Sequence, residues 1–187
     1  EFDAEKVARR LNLKSILGLR EDYEIPSLTL TRADGTTLYP TRDIAYSIWK
    51  FRRADKVINV PIAKHHSLSR VTLGLKNLMG VMGGDRGQIH NFFAQKLTDI
   101  DRKILPTLTI IDAYRILTNN GPVGGNPADV KLAKTLILSD CTVTADYLAL
   151  ELFGLKLDEV DHIKTAYQKG LAKYPIEKLN VKWISLG

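Results

Sequence analysis

Residues 54–87 read ADKVINVPIAKHHSLSRVTLGLKNLMGVMGGDRG and decide the fold. A short apolar run at residues 57–60 ends at Pro61, and the basic triplet KHH follows at residues 64–66. An apolar strand that leads into a polar, basic, glycine-rich loop is how open α/β sheets build binding sites at their edge. The stretch therefore predicts an α/β domain with a site for an anionic ligand at the end of this strand.

Two further apolar strands are predicted outward from this stretch, at residues 108–111 and 135–138. Alternating residues at 180–186 predict a last strand. Helical periodicity favours helices at residues 42–51, at 88–104, from Thr142 or Thr144 to about 153, and at 159–169 after an Asp158 cap. We therefore expect a three-layer α/β fold, with a mostly parallel or mixed sheet and helices on both faces.

The length of 187 residues suits a single domain, residues 1–187. Within it we expect an N-terminal helix, a hairpin and a helix in residues 1–53, and the α/β core in residues 54–187. The hairpin rests on the Asp34-Gly35 turn signal between apolar residues.

The connection between the second and third strands leaves two topologies open. Residues 118–128 read TNNGPVGGNPA, and these prolines and glycines break any helix. If the strands are nevertheless parallel, Asp112 and Asp140 lie at the same edge of the sheet. If they are antiparallel, the two carboxylates are separated.

Composition limits the classes of partner and cofactor. The chain has 27 Lys and Arg against 21 Asp and Glu, a net charge of +6, which favours anionic partners without identifying them. Cys141 is the only cysteine, so disulfides, four-cysteine zinc sites and an iron–sulfur cluster held within this chain are excluded. No apolar run approaches about 20 residues and no signal peptide is evident, so we expect a cytoplasmic protein with no membrane partner.

The candidate ligand-binding residues are basic or polar groups beside glycines or at strand ends. Lysine neutralises an anion, and glycines let backbone N–H groups approach it closely. An ordinary solvated loop remains the alternative interpretation at each position. The candidates for binding a substrate are Lys64, His65, Lys76, Asn77, Asp85, Arg86, Asn120 and Gly121.

The candidate catalytic residues are His66 and His90, as proton carriers, and Asp112 and Asp140, as acid or base groups. Asp112, Asp140 and Asp146 are the candidate ligands of a divalent cation, since each follows or lies near a predicted strand end. Each aspartate has a simpler alternative role as a helix or turn cap.

Several motifs resemble the uncharacterised family catalogued as domain of unknown function 362. They are ADKVINVPIAKHHSL, VTLGLKNLMGV, GDRGQIHN, LPTLTIIDAYRI, NNGPVGG and SDCTVTADYLA, in the family's order, and they cover about residues 54–185. Some members carry a ferredoxin-like iron–sulfur module. The resemblance therefore implies an iron–sulfur protein as a partner.

Residues 25–60 resemble a different family, the catalytic domain of archaeal arginyl-tRNA synthetases. The stretch IPSLTLTRADGTTLYPTRDIAYSIWKFRRADKVINV carries this likeness, and Tyr39 and Asp43 match residues that help to bind arginine there. The ATP-binding signatures of that family are absent, so the resemblance does not imply aminoacylation.

These observations leave three hypotheses about function. The first is an enzyme, or a degenerate relative, that acts on a small anionic substrate with a divalent cation. The second is a binding module for nucleic acid, such as RNA, or for a redox partner. The third is a splice of two sources without activity, which the change of resemblance at Val60 motivates.

Overall fold

The computed structural model of this protein describes residues 53–82, 89–123 and 125–185. The helices and hairpin predicted within residues 1–52 lie outside these ranges, as do Tyr39 and Asp43. Asp85 and Arg86 also lie outside them.

Five strands form one mixed sheet in the described part of the chain. They are β1 (Ile58–Asn59), β2 (Ile62–His66), β3 (Arg70–Thr72), β4 (Leu108–Leu117) and β5 (Val130–Ser139). Pro61 separates β1 from β2, and both pair in parallel with β4. β3 pairs antiparallel with β2, and β5 pairs antiparallel with β4. The structure thus selects the antiparallel alternative for the second connection.

β4 is longer than the sequence pattern predicts. It continues past Asp112 to Leu117, because its pairing with β5 runs from Thr109 to Leu117. Asp112 therefore lies within the strand, opposite Ile62 of β2 and Leu136 of β5, and not at its end. The expectation that Asp112 ends a strand is wrong.

Four α-helices accompany the sheet within the residues that the structure describes. They are α1 (Gly74–Asn77), α2 (Phe93–Ile104), α3 (Thr142–Leu150) and α4 (Asp161–Gln168). Short 3₁₀ turns flank them at Leu78–Val81, Glu151–Phe153 and Leu157–Glu159. The three helices predicted within the described residues, at 88–104, from Thr142 or Thr144 to about 153, and at 159–169, are confirmed with later starts or earlier ends.

The predicted caps and the last strand are wrong. The N-cap of α3 is Cys141 and that of α4 is Val160, and neither makes a side-chain capping bond. Val160 is fully buried in the core, and α4 begins after it, at Asp161, and not directly after Asp158. Residues 180–185 form no strand. A pattern of alternating side chains is not enough for a strand, which also needs a neighbouring strand for its backbone hydrogen bonds.

The α/β class and the mixed sheet are confirmed, and the arrangement is compatible with three layers. The core packs Ala63 and Ile111 of the sheet against helix residues such as Leu97, Val143 and Ile163. Across β1, β2 and β5, Ile58, Ile62, Leu136 and Leu138 are more than half exposed. Within the described residues, no helix has the length and apolarity needed to cross a bilayer.

Helix α1 is anchored by the carboxyl group of a residue from a distant part of the chain. The Gly74 N–H donates to Oδ1 of Asp146 at 2.6 Å, and the Leu75 N–H donates to Oδ2 at 2.8 Å. The amide of Asn59 donates to the Gly74 carbonyl at 2.9 Å. A side chain at residue 74 has no room, since an ideal Cβ would lie 2.7 Å from Oδ1 of Asp146 and 2.8 Å from Cγ2 of Thr142.

We predict that Gly74→Ala lowers the free energy of unfolding by about 1–3 kcal/mol, because the added methyl overpacks this contact. Gly80→Ala is the matched control, since nothing lies within 4 Å of its ideal Cβ. It should leave stability within about 1 kcal/mol of the wild type. Urea unfolding measures both, and equal midpoints for the two variants would contradict the packing described here.

Candidate anion-binding site

β2 delivers the basic triplet to the site. His66 is buried, and its Nδ1 accepts the backbone N–H groups of Leu68 at 3.1 Å and Ser69 at 3.3 Å. Because Nδ1 is used as an acceptor, the hydrogen-bond network assigns the ring proton to Nε2. His66 therefore offers an N–H donor at Nε2.

The loop after β4 supports His65. The Gly121 N–H donates to Nδ1 of His65 at 3.1 Å, and the Gly121 carbonyl accepts the Ser67 N–H at 3.2 Å. A Cβ at residue 121 would collide with the His65 carbonyl oxygen, so the close approach requires glycine. The side chain of Asn120 donates to Asp129, which holds the loop's own shape. Gly121 therefore acts on the site through His65.

Helix α1 brings the second lysine. Lys76 is only 8% exposed, and the side chain of its neighbour Asn77 donates to Asn59 at 2.8 Å. Burial, and secondly the charge of Lys64, lower the pKa of Lys76 to about 8. Lys76 is thus mostly charged at pH 7 although it is desolvated and faces a like charge.

Stacked rings join these groups to the helices. The ring centroids of His66 and His90 are 6.2 Å apart, and those of His90 and Phe93 are 5.3 Å apart with nearly parallel planes. Phe93 contacts His162 edge-on at 5.5 Å, and Nζ of Lys76 lies 5.7 Å from the Phe93 centroid. We call Lys64, His65, His66, Lys76 and His90 the basic cluster.

Cationic groups dominate the electrostatics around His66, and the carboxylate of Asp129 lies near His65 at the edge of the cluster. Burial, followed by the charges of Lys76, His90, His65 and Lys64, lowers the pKa of His66 to about 4. Burial, followed by Lys76 and His66, lowers the pKa of His162 to about 3. Both rings are therefore neutral at pH 7, and the lysines carry the charge.

Sequence reasoning missed Phe93 and His162. Phe93 belongs to an apolar helical pattern that predicts core, and His162 lies more than ninety residues after the KHH triplet. The available signal was weak: His162 is a polar residue on the buried face of an amphipathic helix.

The aspartates predicted to join this site have other partners. Asp112 accepts the Tyr114 N–H at 3.0 Å. Asp140 follows Ser139, the last residue of β5, which pairs with Thr109 near the start of β4. Lys64 of β2 pairs with Leu117, the last residue of β4. Asp140 is bound by Lys173 and Tyr174. Antiparallel pairing therefore places Asp140 and Lys64 toward opposite ends of β4.

Asp146 is fully buried, and both of its oxygens accept backbone N–H groups of α1. Burial is the main cause that raises the pKa of Asp146 to about 8, and the charge of Asp101 adds to it against the two backbone hydrogen bonds. Burial also raises the pKa of Asp101 to about 6. In the part of the chain that the structure describes, no three His, Cys, Asp or Glu side chains gather as a metal site.

The fold is that of an α/β domain with a mixed sheet, and its candidate ligand site lies at β2, α1 and the residues just before α2. The chain belongs to the family described as Domain of unknown function (DUF362), whose model matches residues 4–151. The match begins well before the motifs that indicated the family and ends before residue 185.

Relatives of two kinds are similar to the chain. The thylakoid-associated protein sll1697 of Synechocystis sp. is 32% identical over 130 residues, which are 65% of this chain and 39% of the relative. The arginine–tRNA ligase of Aeropyrum pernix is 55% identical over 58 residues, which are 30% of this chain and 9% of the ligase. That of Methanopyrus kandleri is 61% identical over 46 residues, 24% of this chain and 8% of the ligase.

Both resemblances inferred from the sequence are therefore confirmed. The chain spans less than half the length of these relatives. No solved structure matches the chain.

We predict that the stability cost of Asp146→Asn depends on pH. The folded pKa lies above the unfolded value of 3.8, so the stability that the protonated carboxyl contributes is complete below about pH 4 and is lost as pH rises toward 8. The cost of the substitution, measured by urea unfolding, should therefore shrink between pH 5 and pH 8.5.

Asp140→Asn is the control, because its partner Lys173 lowers the pKa of that exposed carboxyl. Its effect on stability should be constant over the same range. A constant cost for Asp146→Asn as well would contradict the raised pKa.

Proposed function

We propose that this domain binds a small anion, of the phosphate or carboxylate class, in the basic cluster. The observation that carries the proposal is the state of Lys76, which is buried beside a second lysine. Among the described residues, no carboxylate forms an ion pair with Lys76. A buried cation without a counter-charge is costly, and a bound anion offsets that cost.

The histidines of β2 complement the two lysines. With Nδ1 occupied by backbone donors, His65 and His66 each have Nε2 as the ring donor in their neutral form. Hydrogen bonds from such donors to an anion are stronger than hydrogen bonds between two neutral groups. The cluster thus combines charge from two lysines with directed N–H groups, which suits an oxyanion.

Helix α2 supports the same ligand charge. It has twelve residues, no acidic residue in its first turn and no side-chain cap, and its first residue is Phe93 at the edge of the cluster. The partial positive charge of a helix N-terminus favours a nearby anion. The attraction of the helix N-terminus adds to that of the two lysines and does not replace it.

Proton transfer by His66 and by the aspartates is a separate question from anion binding. The lowered pKa of His66 makes it a hydrogen-bond donor at neutral pH and a poor proton carrier. Catalysis by Asp112 or Asp140, and a divalent cation as cofactor, stay predictions. Magnesium is therefore included as a variable in the binding experiment.

We predict that inorganic phosphate binds the wild type and that Lys64→Ala and Lys76→Ala weaken it by about 10- to 100-fold, because each removes a charge-assisted bond worth about 1.5–3 kcal/mol. Isothermal titration calorimetry, with and without magnesium, measures the affinity. Lys64 is only partly buried, so Lys64→Ala is expected to fold and tests the site even if Lys76→Ala does not fold.

Lys131→Ala is the matched control, since Lys131 is exposed on β5 and outside the basic cluster. It should bind phosphate like the wild type. Equal affinity in all four proteins, or no binding to the wild type, would refute the proposed function.

The pH dependence of binding tests Lys76 separately, and sulfate is the suitable probe because its charge is constant. As pH rises through about 8, Lys76 loses its proton and its contribution to affinity, so wild-type affinity should fall. Lys76→Arg should hold its affinity to higher pH, because arginine stays protonated. Identical profiles for the wild type and this variant would exclude Lys76 as the titrating group.

A further inference from the structure

A cavity of about 450 Å³ lies beside the basic cluster. Its walls come from the turn after β2, the first turn of α2 and the start of α4. The volume falls within the range of small-molecule pockets.

The cavity and the basic cluster share their dividing wall. Phe93 lines the cavity and also contacts His90 and Lys76. Leu68 and Ser69 line it too, and their N–H groups hold the ring of His66. The cavity and the basic cluster are therefore neighbours on either side of Phe93.

Aromatic surface is the first chemical feature of the cavity. Phe92 lies at the cavity and is 83% exposed, with a left-handed backbone at φ 59° just before α2. Phe93 and His162 add two further rings to the walls. An exposed aromatic side chain in a conformation that bulky residues rarely adopt is costly, and a planar ligand ring stacked on it would use that surface.

Negative charge is the second feature. Glu159 and Asp161 line the cavity; Arg70 also lines it and pairs with Glu159 at 3.4 Å, and the charge of Asp161 acts on Lys164. The cavity is thus unsuited to a second anion and suited to a neutral ring that carries N–H donors. The two neighbouring sites together favour a ligand that is anionic at one end and a donor-bearing planar ring at the other.

We propose that the ligand is a mononucleotide, with its phosphate in the basic cluster and its base in the cavity against Phe92. This inference rests on the proposed anion-binding function and names the class of ligand. A nucleobase supplies the planar ring and the N–H donors, and the sugar spans the shared wall at Phe93.

Calorimetric titration with inorganic phosphate, ribose 5-phosphate and the four mononucleotides AMP, GMP, CMP and UMP tests the inference. At least one mononucleotide should bind about 10-fold or more tightly than ribose 5-phosphate, as expected for stacking of a base on an aromatic side chain. Phe92→Ala should remove this advantage and leave the affinity for phosphate unchanged. Phe92→Tyr should restore it.

Leu105→Ala is the matched control, because Leu105 is 68% exposed at the other end of α2. It should bind the nucleotides like the wild type. If phosphate binds but no mononucleotide exceeds ribose 5-phosphate, or if Phe92→Ala leaves the advantage intact, the mononucleotide inference is overturned and anion binding stands. If phosphate itself does not bind, the proposed function fails first.

Discussion

The carboxyl group of Asp146 holds the backbone of Gly74 and Leu75, and the position of Lys76 in the basic cluster depends on this contact. Helix α1 has four residues, which is too short to be stable alone, because helix nucleation is unfavourable and only tertiary contacts offset it. The two hydrogen bonds from α1, together with the amide of Asn59, fix where the helix lies against β1. The direction in which Lys76 leaves α1 is thus set by a residue 70 positions later in the chain.

This arrangement concentrates unfavourable electrostatics in one place. A buried carboxyl with a raised pKa lies under the helix, and a buried ammonium with a lowered pKa lies on it, yet the Asp146 oxygens bond to backbone and not to Lys76. Strongly perturbed groups of this kind are concentrated at functional sites. The rings of His66 and His162 add no charge near Lys76 at pH 7, because their pKa values are lowered.

The sequence predicted the part of this site that is local. The sequence marked the KHH triplet as a basic group next to the strand at residues 57–60, although the triplet ends a second strand, β2, and does not form a loop. The close contacts of Gly74 and Gly121 are seen only in the structure. The rest depends on tertiary contacts. Asp146 reads equally as a cap or a metal ligand, since nothing in its neighbours reveals a partner at Gly74. The position of Asp140 depends on whether β4 and β5 are parallel or antiparallel, which the sequence left open. The structure shows that they are antiparallel. His162 joins the site only because α4 packs on α2, which no local pattern encodes.

The most direct test of the account is nuclear magnetic resonance of the side-chain nitrogens during a titration with inorganic phosphate. If β2 and the Asp146-anchored helix form one site, the ring nitrogens of His65, His66 and His90 and the Nζ of Lys76 shift together, with one dissociation constant, while Lys131 does not move. Shifts with different constants, or shifts in the histidines without Lys76, would contradict the claim that these elements build a single anion site.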